Sequence, residues 1–271
     1  MAQNFWEQVL AFAEAITETV GQKLRSDFGQ VQADLKADGS LVTRCDRWSD
    51  DTIRAAIGEK FPDHGVLSEE VEHVFPAADW CWIIDPIDGT TNFTRGIPVW
   101  GISLGLLYRG VPVFGYVAMP PLNQSFYGYW PGESGLDMPS GAYCNGRPIH
   151  ASDAPPDKTQ FFSLCARSTS VLEQPFPCKI RMLGSAAYNL LLVGAGWAVG
   201  AVEATPKIWD IAAVWAIVQA AGATWVPLDD IEPFPLGAGK DYSRQPYPTL
   251  AAAQPSLVEE FRPLVQKVVK Q

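Results

Sequence analysis

The sequence has 271 residues, with 30 Asp and Glu against 20 Lys and Arg, so its formal net charge is −10. A hydrophobic content of 47%, with 10 Trp, 13 Phe and 8 Tyr, excludes an intrinsically disordered chain. The acidic balance argues against binding to nucleic acid or to an anionic membrane, and five scattered cysteines without a CxxC or Cys/His pair favour a reduced, cytoplasmic protein.

Predicted helices and strands interleave along the chain. Apolar residues recur every three to four positions from residue 4 to residue 26, which predicts an amphipathic helix. Further predicted helices cover 47–61, 184–193 and a segment from 210 to a stop at Gly222; predicted strands cover 81–84, 99–108, 111–119, 124–130, 160–166 and 197–203, and a turn lies at 145–146. Segments 99–130 indicate an antiparallel meander, and the whole pattern predicts a mixed α/β class built in layers.

The chain shows no linker-like segment, so we expect one domain over 1–271. Glu7 and Glu14 stand where a signal peptide needs a cationic start and an apolar run. Segment 182–202 is uncharged, but its glycines and polar residues favour a buried helix, a glycine turn and a strand over a membrane span.

Acidic charge is concentrated between Ser68 and Asn92, which holds six acids and no Lys or Arg. Two of them, Asp85 and Asp88, directly follow the apolar strand predicted at 81–84. Carboxylates are rarely left beside a core without compensation. A cation is therefore expected at this point.

Segment 85–93 has the residue types of a metal and phosphate site. We expect Asp85 to end the strand, Pro86 to restrict the residue before it, and Gly89 to permit a tight bend. The bend would direct the carboxylates of Asp85 and Asp88 and the carbonyl of Ile87 to one side, as three hard oxygen ligands for Mg²⁺.

Behind those ligands, residues 89–91 could begin a helix whose N–H groups would hold a phosphate. Cation ligands next to an anion cradle suit metal-assisted phosphoryl chemistry. The spacing of the acids does not fit an EF-hand loop. An Asx turn capped by Thr, without a ligand, is the open structural alternative for the short motif alone.

The run of residues 82–93, WIIDPIDGTTNF, resembles the signature of the inositol monophosphatase family of Mg²⁺-dependent, lithium-sensitive phosphatases. Four further blocks resemble that family in its order: Lys36 with 41–46, 67–70, 181–187 and 207–213. The resemblance implies an αβαβα five-layer sandwich and a homodimer. It places the metal motif in about 1–150 and the substrate side in about 151–271.

The resemblance also implies a ligand set for two or three Mg²⁺ ions, with Mn²⁺ as a possible substitute. Glu69, Asp85 and the carbonyl of Ile87 would hold the first metal. Asp85, Asp88 and Asp210 would hold the second, and Glu69 would contribute to a weaker third.

Catalytic and substrate-binding roles are implied in the same way. Asp46 and Thr90, with Glu69, would be catalytic, the first two by orienting and polarising the attacking water. The implied substrate-binding residues are Asp88, Gly89, Thr90, Gly184, Ser185, Ala186, Glu203 and Asp210. Among them Glu203 would bond substrate hydroxyls, and the N–H groups of Gly89 and Thr90 would receive phosphate oxygens.

The hypothesis that follows is a phosphatase of small polyol or sugar monophosphates, with myo-inositol monophosphate as the leading substrate. Thr91-Asn92-Phe93 favours this type over a histidinol-phosphate phosphatase, and a fructose-1,6-bisphosphatase-like activity also stays open. The alternative of another class is a regulatory protein that binds metal without turnover. Two Mg²⁺ would turn the local field attractive to a phosphate dianion.

One residue departs from the family pattern. Ser68 stands where the family usually has Gly before the Glu-Glu pair. If that position requires a positive φ, Ser would cost roughly 1 kcal/mol and would disturb the placing of Glu69.

Overall fold

The structure, a computed structural model, describes residues 2–36, 39, 41–71, 73–171 and 175–265. Its helices are α1 (Ala2–Asp27), α2 (Arg44–Lys60), α3 (Thr90–Arg95), α4 (Ala186–Gly194), α5 (Ile208–Ala220) and α6 (Pro255–Val265), with 3₁₀ turns at Pro120–Leu122 and Ala166–Val171. Its strands are β1 (Ala33–Leu35), β2 (Leu41–Thr43), β3 (Gly65–Ser68), β4 (Trp80–Asp88), β5 (Gly101–Tyr108), β6 (Val111–Met119), β7 (Gln124–Tyr129), β8 (Gly141–Cys144), β9 (Arg147–Ile149), β10 (Phe161–Leu164), β11 (Lys179–Arg181), β12 (Gly200–Glu203), β13 (Thr224–Pro227) and β14 (Thr249–Ala252).

The strands form two large sheets and a hairpin. The larger sheet has the order β3-β4-β5-β6-β7-β8-β9, with β3 parallel to β4 and the other pairs antiparallel. The smaller sheet has the order β11-β10-β12-β14-β13, and β1 pairs with β2. The predicted meander is confirmed as β5, β6 and β7, and the predicted turn at 145–146 joins β8 to β9.

Five layers result from the alternation of apolar residues along β4. Trp82 and Ile84 pack into one core with α1 and α2, while Cys81 and Ile83 pack into a second core with α4 and α5. The smaller sheet covers the far side of α4 and α5, and α6 covers the outer face of that sheet. The predicted αβαβα sandwich is confirmed.

Helix α5 lies unusually close to the larger sheet because three adjacent strands present glycine to it. A Cβ at Gly105 or Gly128 would lie 2.9 Å or 2.8 Å from a backbone atom of α5, and one at Gly115 would lie closer still. Their neighbours on α5 are Ala213 and Ile217. The absence of a side chain at these three positions therefore permits the short distance between α5 and the larger sheet.

Element ends differ from the predictions where a side chain caps a helix. Helix α2 begins at residue 44 and not 47, because the Thr43 hydroxyl accepts the N–H groups of Cys45 and Asp46 while Asp46 accepts the N–H of Thr43. Helix α5 begins at Ile208, two residues before the predicted start, because the Asp210 carboxylate accepts the backbone N–H of Lys207.

Segment 182–202 contains the predicted helix, turn and strand as α4, a turn and β12, although β12 is three residues shorter than expected. Of the helices described, none combines the length and apolar character that crossing a membrane requires.

Candidate active site

The predicted site residues converge where strand ends of both sheets meet the first turns of four helices. Glu69 follows β3, Asp85 and Asp88 lie at the end of β4, and Glu203 ends β12. Asp46 and Asp210 each stand at the third position of a helix, α2 and α5. Helix N-termini favour negative charge, so the fold gathers carboxylates where the backbone partly compensates for them.

Strand β4 does not end at Asp85, as the sequence had predicted, but continues through Pro86 to Asp88. It stays paired with β5, and an irregularity in the register lies between Asp85, opposite Ser103, and Asp88, opposite Gly101. Such a bulge re-aims side chains at a sheet edge. Both carboxylates thereby reach the same side, and the backbone N–H of Ile87 is bonded to Asp85 Oδ1 at 3.1 Å.

The predicted bend at Gly89 is confirmed. This residue has φ +89° and precedes the first residue of α3, Thr90. A Cβ here would lie 3.0 Å from the carbonyl oxygen of Val99 and 3.3 Å from that of Gly184, so both the dihedral angle and the space require glycine. The first N–H groups of α3 follow directly after the bend, and the N–H groups of a helix's first turn have no acceptor within the helix.

Asp85, Asp88 and Asp210 form a compact acidic cluster. One carboxylate oxygen from each lies within 4.8 Å of the other two. Burial, followed by the negative charges of neighbouring carboxylates, raises the pKa of Asp85 and of Asp210 well above the usual value. Three crowded carboxylates, of which Asp85 and Asp88 are buried and Asp210 is half-buried, are a set that a hard divalent cation would stabilise.

Asp88 is held by the N-terminus of α4. Its carboxylate accepts the Ser185 hydroxyl and the backbone N–H groups of Ala186 at 3.1 Å and Ala187 at 3.2 Å. Burial raises the pKa of Asp88 to about 6, and these three donors limit the rise. The polar groups of Ser185 and Ala186, expected on the substrate side, are therefore engaged by Asp88, although both residues still line the adjoining cavity.

Glu69 lies beside the cluster but outside the group of three. Its Oε1 accepts Lys36 Nζ at 2.8 Å, and the same ammonium donates to Glu70 Oε1 at 2.7 Å. Burial raises the pKa of Glu69 to about 7, against the effect of Lys36. Burial lowers the pKa of Lys36, but the carboxylates of Glu69 and Glu70 outweigh the effect of burial, so the pKa of Lys36 is raised.

Ser68 is not strained, contrary to the conditional expectation from its place in the sequence. Its backbone belongs to β3, paired with Ile84, and it is not among the residues with positive φ. Its fully buried hydroxyl donates to Asp50 Oδ1, whose other oxygen accepts Arg54 Nε at 2.8 Å. The Ser68 oxygen also accepts the N–H of Glu70 at 3.4 Å.

Asp46 and Thr90 are brought together as expected. Thr90 Oγ1 lies 3.2 Å from Asp46 Oδ1 and 3.0 Å from the carbonyl oxygen of Ile87. Asp46 Oδ2 accepts both the N–H and the hydroxyl of Thr43. Burial raises the pKa of Asp46, while the bonds from Thr43 oppose the rise.

A cavity of about 370 Å³, which we name the inner cavity, adjoins the acidic cluster. Gly184, Ser185, Ala186, Glu203 and Asp210 line it, all of which were predicted on the substrate side. Glu203 Oε1 accepts Asn189 Nδ2 at 2.7 Å, and burial raises the pKa of Glu203 to about 8.

Sequence reasoning missed other residues of this wall, notably Asn189, Cys165, Arg167 and Thr205. Asn189 is buried, and its Oδ1 has no hydrogen-bond partner among the described residues. A buried Asn inside an otherwise apolar helix was the available signal for Asn189. The other three stand in segments without a motif, so only the fold brings them to the cavity.

Comparison with known proteins identifies the same family that the sequence motifs resemble. The model of the inositol monophosphatase family matches residues 6–268. A fructose-1,6-bisphosphatase/inositol-1-monophosphatase of Aquifex aeolicus is 32% identical over 228 residues, covering 79% of this chain and 83% of that protein. A histidinol-phosphatase of Chlorobaculum parvum is 32% identical over 224 residues, covering 79% and 83%. The structure of an IMPase from Thermotoga maritima superposes with a TM-score of 0.81 at 31% identity, over 97% of this chain and 98% of that one.

Proposed function

The chain belongs to the inositol monophosphatase family of phosphatases that hydrolyse phosphate monoesters, and within it we propose a Mg²⁺-dependent enzyme for small polyol and sugar phosphates, with myo-inositol monophosphate as the leading substrate. The observation that carries the proposal is the acidic cluster of Asp85, Asp88 and Asp210 beside the positive-φ bend at Gly89.

The donor set fits divalent cations. Asp85, Asp88 and Asp210, with Glu69 and the carbonyl of Ile87, would hold two Mg²⁺ ions, and Glu69 would take part in a third site. In the bound state the metal would supply Lewis acidity toward phosphate oxygens and a water of lowered pKa. Asp85, Asp88 and Asp210 have raised pKa values and no ion pair with a lysine or arginine among the described residues, which supports this assignment; Glu69 differs, because it is paired with Lys36.

Asp46 and Thr90 would orient the attacking water. A water donating to Thr90 Oγ1 is activated because the Thr90 hydroxyl can pass its own proton toward Asp46 Oδ1, 3.2 Å away. Thr43 fixes Asp46 through two bonds, so the accepting oxygen is already in place. The N–H groups of Gly89 and Thr90 would receive the phosphate oxygens.

The inner cavity would hold the alcohol part of the substrate. Glu203 and Asn189 are among the residues that line it, and carboxylate and amide oxygens accept hydrogen bonds from hydroxyl groups. Because Asn189 Nδ2 is bonded to Glu203, the Asn189 Oδ1 acceptor is fixed in orientation.

Three further properties belong to the proposal. The enzyme would be cytoplasmic, in keeping with its five free cysteines, and it would be a lithium-inhibited homodimer. Light scattering on the eluted protein would give its mass in solution, and a LiCl titration of phosphate release would give its inhibition.

The deciding experiment measures phosphate release from myo-inositol monophosphate with Mg²⁺ and with EDTA. We expect turnover only with the metal and a loss of about 10³-fold or more in kcat for Asp88→Asn. Asp79→Asn, at an exposed carboxylate, is the matched control and should keep wild-type kcat. Metal-independent turnover, or full activity of Asp88→Asn, would contradict the proposal.

The substrate is decided by a panel. Values of kcat/KM for myo-inositol monophosphate, histidinol phosphate and fructose 1,6-bisphosphate would rank the three activities named among the relatives. Absence of turnover on every phosphate monoester would instead support the regulatory, non-catalytic alternative.

A further inference from the structure

The hydroxyl of Ser103 is a buried polar group without an assigned role. Ser103 lies on β5, it is fully buried, and its Oγ has no hydrogen-bond partner among the described residues. A hydroxyl carries one donor and two acceptor positions, and burying it without a partner lowers stability relative to an apolar side chain. A serine at this position therefore needs a reason other than packing.

Ser103 faces the same side of the larger sheet as Asp85. In the antiparallel pairing of β4 with β5, the two residues stand directly opposite each other. Side chains of directly opposite residues lie on one face, with their Cβ atoms about 4.5–5.5 Å apart. Gly105, two residues further along β5, is on that face too, because a Cβ added there would lie 2.9 Å from the backbone nitrogen of Ala213 on α5. The Ser103 side chain therefore points from the sheet toward the layer of α4 and α5, next to Asp85.

The other neighbours of Ser103 on this face carry no hydrogen-bonding side chain. On β6 the directly opposite residue is Val117, which belongs to the apolar core formed with α4 and α5. Along β5 itself, the residues two positions away are Gly101 and Gly105. Of the side chains that the described strands place next to Ser103 by their register, that of Asp85 is the one with acceptor atoms.

The Asp85 carboxylate has an acceptor site available for such a donor. A carboxylate offers about four lone-pair sites on its two oxygens. The backbone N–H of Ile87 uses one, at 3.1 Å from Oδ1, and the two metals assigned to Asp85 would use two more. In the structure the Asp85 carboxyl also contacts the Glu69 carboxyl, and a cation held by both would replace that contact. One site is then left for a donor from the protein.

We propose that Ser103 is a positioning residue for the metal site, whose hydroxyl donates a hydrogen bond to the Asp85 carboxylate once a cation is bound and fixes its orientation. The inference rests on the proposed function, because it takes Asp85 as a ligand of the metals. Hydrogen-bonding groups behind a metal ligand orient the ligand and raise the affinity for the metal. Ser103 itself contacts neither the metal nor the substrate in this arrangement, so its effect is on metal affinity.

The first test measures Mn²⁺ binding to protein treated with EDTA and then freed of EDTA, with free Mn²⁺ followed by electron paramagnetic resonance. Loss of a hydrogen-bonding group behind a metal ligand typically weakens metal binding about 10- to 100-fold, so we expect a Kd raised by about 10-fold or more in Ser103→Ala. Ser103→Thr keeps the hydroxyl, and its Kd should lie closer to that of the wild type. Circular dichroism would establish that each variant is folded.

The second test measures the urea-unfolding midpoint of the metal-free variants. Alanine removes a hydroxyl that has no partner among the described residues, so the midpoint of Ser103→Ala should equal or exceed that of the wild type.

Ser163→Ala is the matched control for both tests. Ser163, on β10, is also fully buried, and its hydroxyl has no hydrogen-bond partner among the described residues. Its opposite residues in the smaller sheet are Arg181 and Ala201, and neither is an expected metal ligand. The Mn²⁺ Kd of Ser163→Ala should therefore stay at the wild-type value.

The outcomes separate the role of Ser103 from the proposed function. An unchanged Kd in Ser103→Ala, an equal rise in Ser163→Ala, or equal Kd values in Ser103→Thr and Ser103→Ala would overturn the role of Ser103 and leave the proposed function in place. A lowered midpoint of metal-free Ser103→Ala with an unchanged Kd would show that the hydroxyl serves the fold alone. Absence of both Mn²⁺ binding and Mg²⁺-dependent turnover in the wild-type protein would overturn the proposed function and this inference with it.

Discussion

Replacing Ser68 by alanine removes one hydroxyl from a fully buried pair. In the wild-type chain that hydroxyl donates to Asp50 Oδ1, and Arg54 Nε binds the other Asp50 oxygen. Without it, Asp50 keeps a negative charge in the interior with one oxygen deprived of its donor. We therefore expect Ser68→Ala to lower the free energy of unfolding.

The magnitude follows from the charge on the acceptor. A hydrogen bond to a charged group contributes about 1.5–3 kcal/mol, and the cost of an orphaned buried acceptor is of the same size, so a loss of about 2 kcal/mol is expected. The weaker contact from the Glu70 N–H, at 3.4 Å, adds little. For a chain of this size the loss corresponds to a fall of about 4–8 °C in the unfolding midpoint.

Urea unfolding followed by circular dichroism, with EDTA present, measures this difference. Ser49→Ala is the matched control. Ser49, on α2, is fully buried like Ser68, but its hydroxyl has no hydrogen-bond partner among the described residues. We expect Ser49→Ala to be neutral or slightly stabilising. If Ser68→Ala is within about 0.5 kcal/mol of wild type, or if both variants lose stability equally, the contact with Asp50 does not matter and the reasoning is wrong.

Three more predictions concern the site. Because the pKa of Glu203 is raised from 4.5 to about 8 in the folded chain, its protonation stabilises the metal-free protein fully below about pH 4.5, and that contribution, up to about 5 kcal/mol, is lost as the pH rises through 8. The difference in urea-unfolding free energy between wild type and Glu203→Gln should therefore shift against the wild type between about pH 5 and pH 9, and a pH-independent difference would contradict this prediction. Asp210→Asn removes one charge from the acidic cluster. In a thermal-shift assay the unfolding midpoint of the metal-free variant should therefore lie above that of the wild type, and the further rise in midpoint on adding millimolar Mg²⁺ should be smaller. An undiminished response to Mg²⁺ would show that Asp210 holds no metal. Gly89→Ala should lower the free energy of unfolding by about 1–2 kcal/mol and should also lower kcat, since both the φ of Gly89 and its contact with Val99 forbid a side chain. Gly222→Ala, at φ +83° with open space around it, should lose similar stability at unchanged kcat. Equal kcat values in the two variants would refute the role of the bend.

Much of the fold could be predicted because its signals are local. The period of apolar residues in α1 predicted a helix that buries Val9, Val20 and Leu24. The aromatic and β-branched runs predicted β5, β6 and β7. Such patterns depend on which face of an element is buried, and this information lies within the element itself.

Other features depend on contacts between distant segments. β14 inserts between β12 and β13, and nothing in its short apolar sequence indicates those partners. β4 runs past Asp85 because β5 continues to pair with it, although Pro86 locally signals an end. Tertiary pairing thus overrode the turn signal that the sequence carried.

The candidate site divides in the same way. Asp85, Asp88 and Gly89 are neighbours in one motif and were predicted together, and the structure places their carboxylates and bend as expected. Arg167 comes to the same place from a separate loop, where its only local context is a 3₁₀ turn. Their roles in binding metal and substrate remain predictions for the experiments above.

Because α5 packs closely against Gly105, Gly115 and Gly128, substitutions at these strand positions would displace the carboxylate of Asp210 on the same helix. Ile217 stands seven residues beyond Asp210, about 10 Å along the helix axis. A methyl group added at one of these glycines would push α5 away from the larger sheet and would thereby move the Asp210 carboxylate relative to β4. In a mutational scan scored by turnover, the three glycines would then rank with the active-site acids, although none of them reaches the substrate.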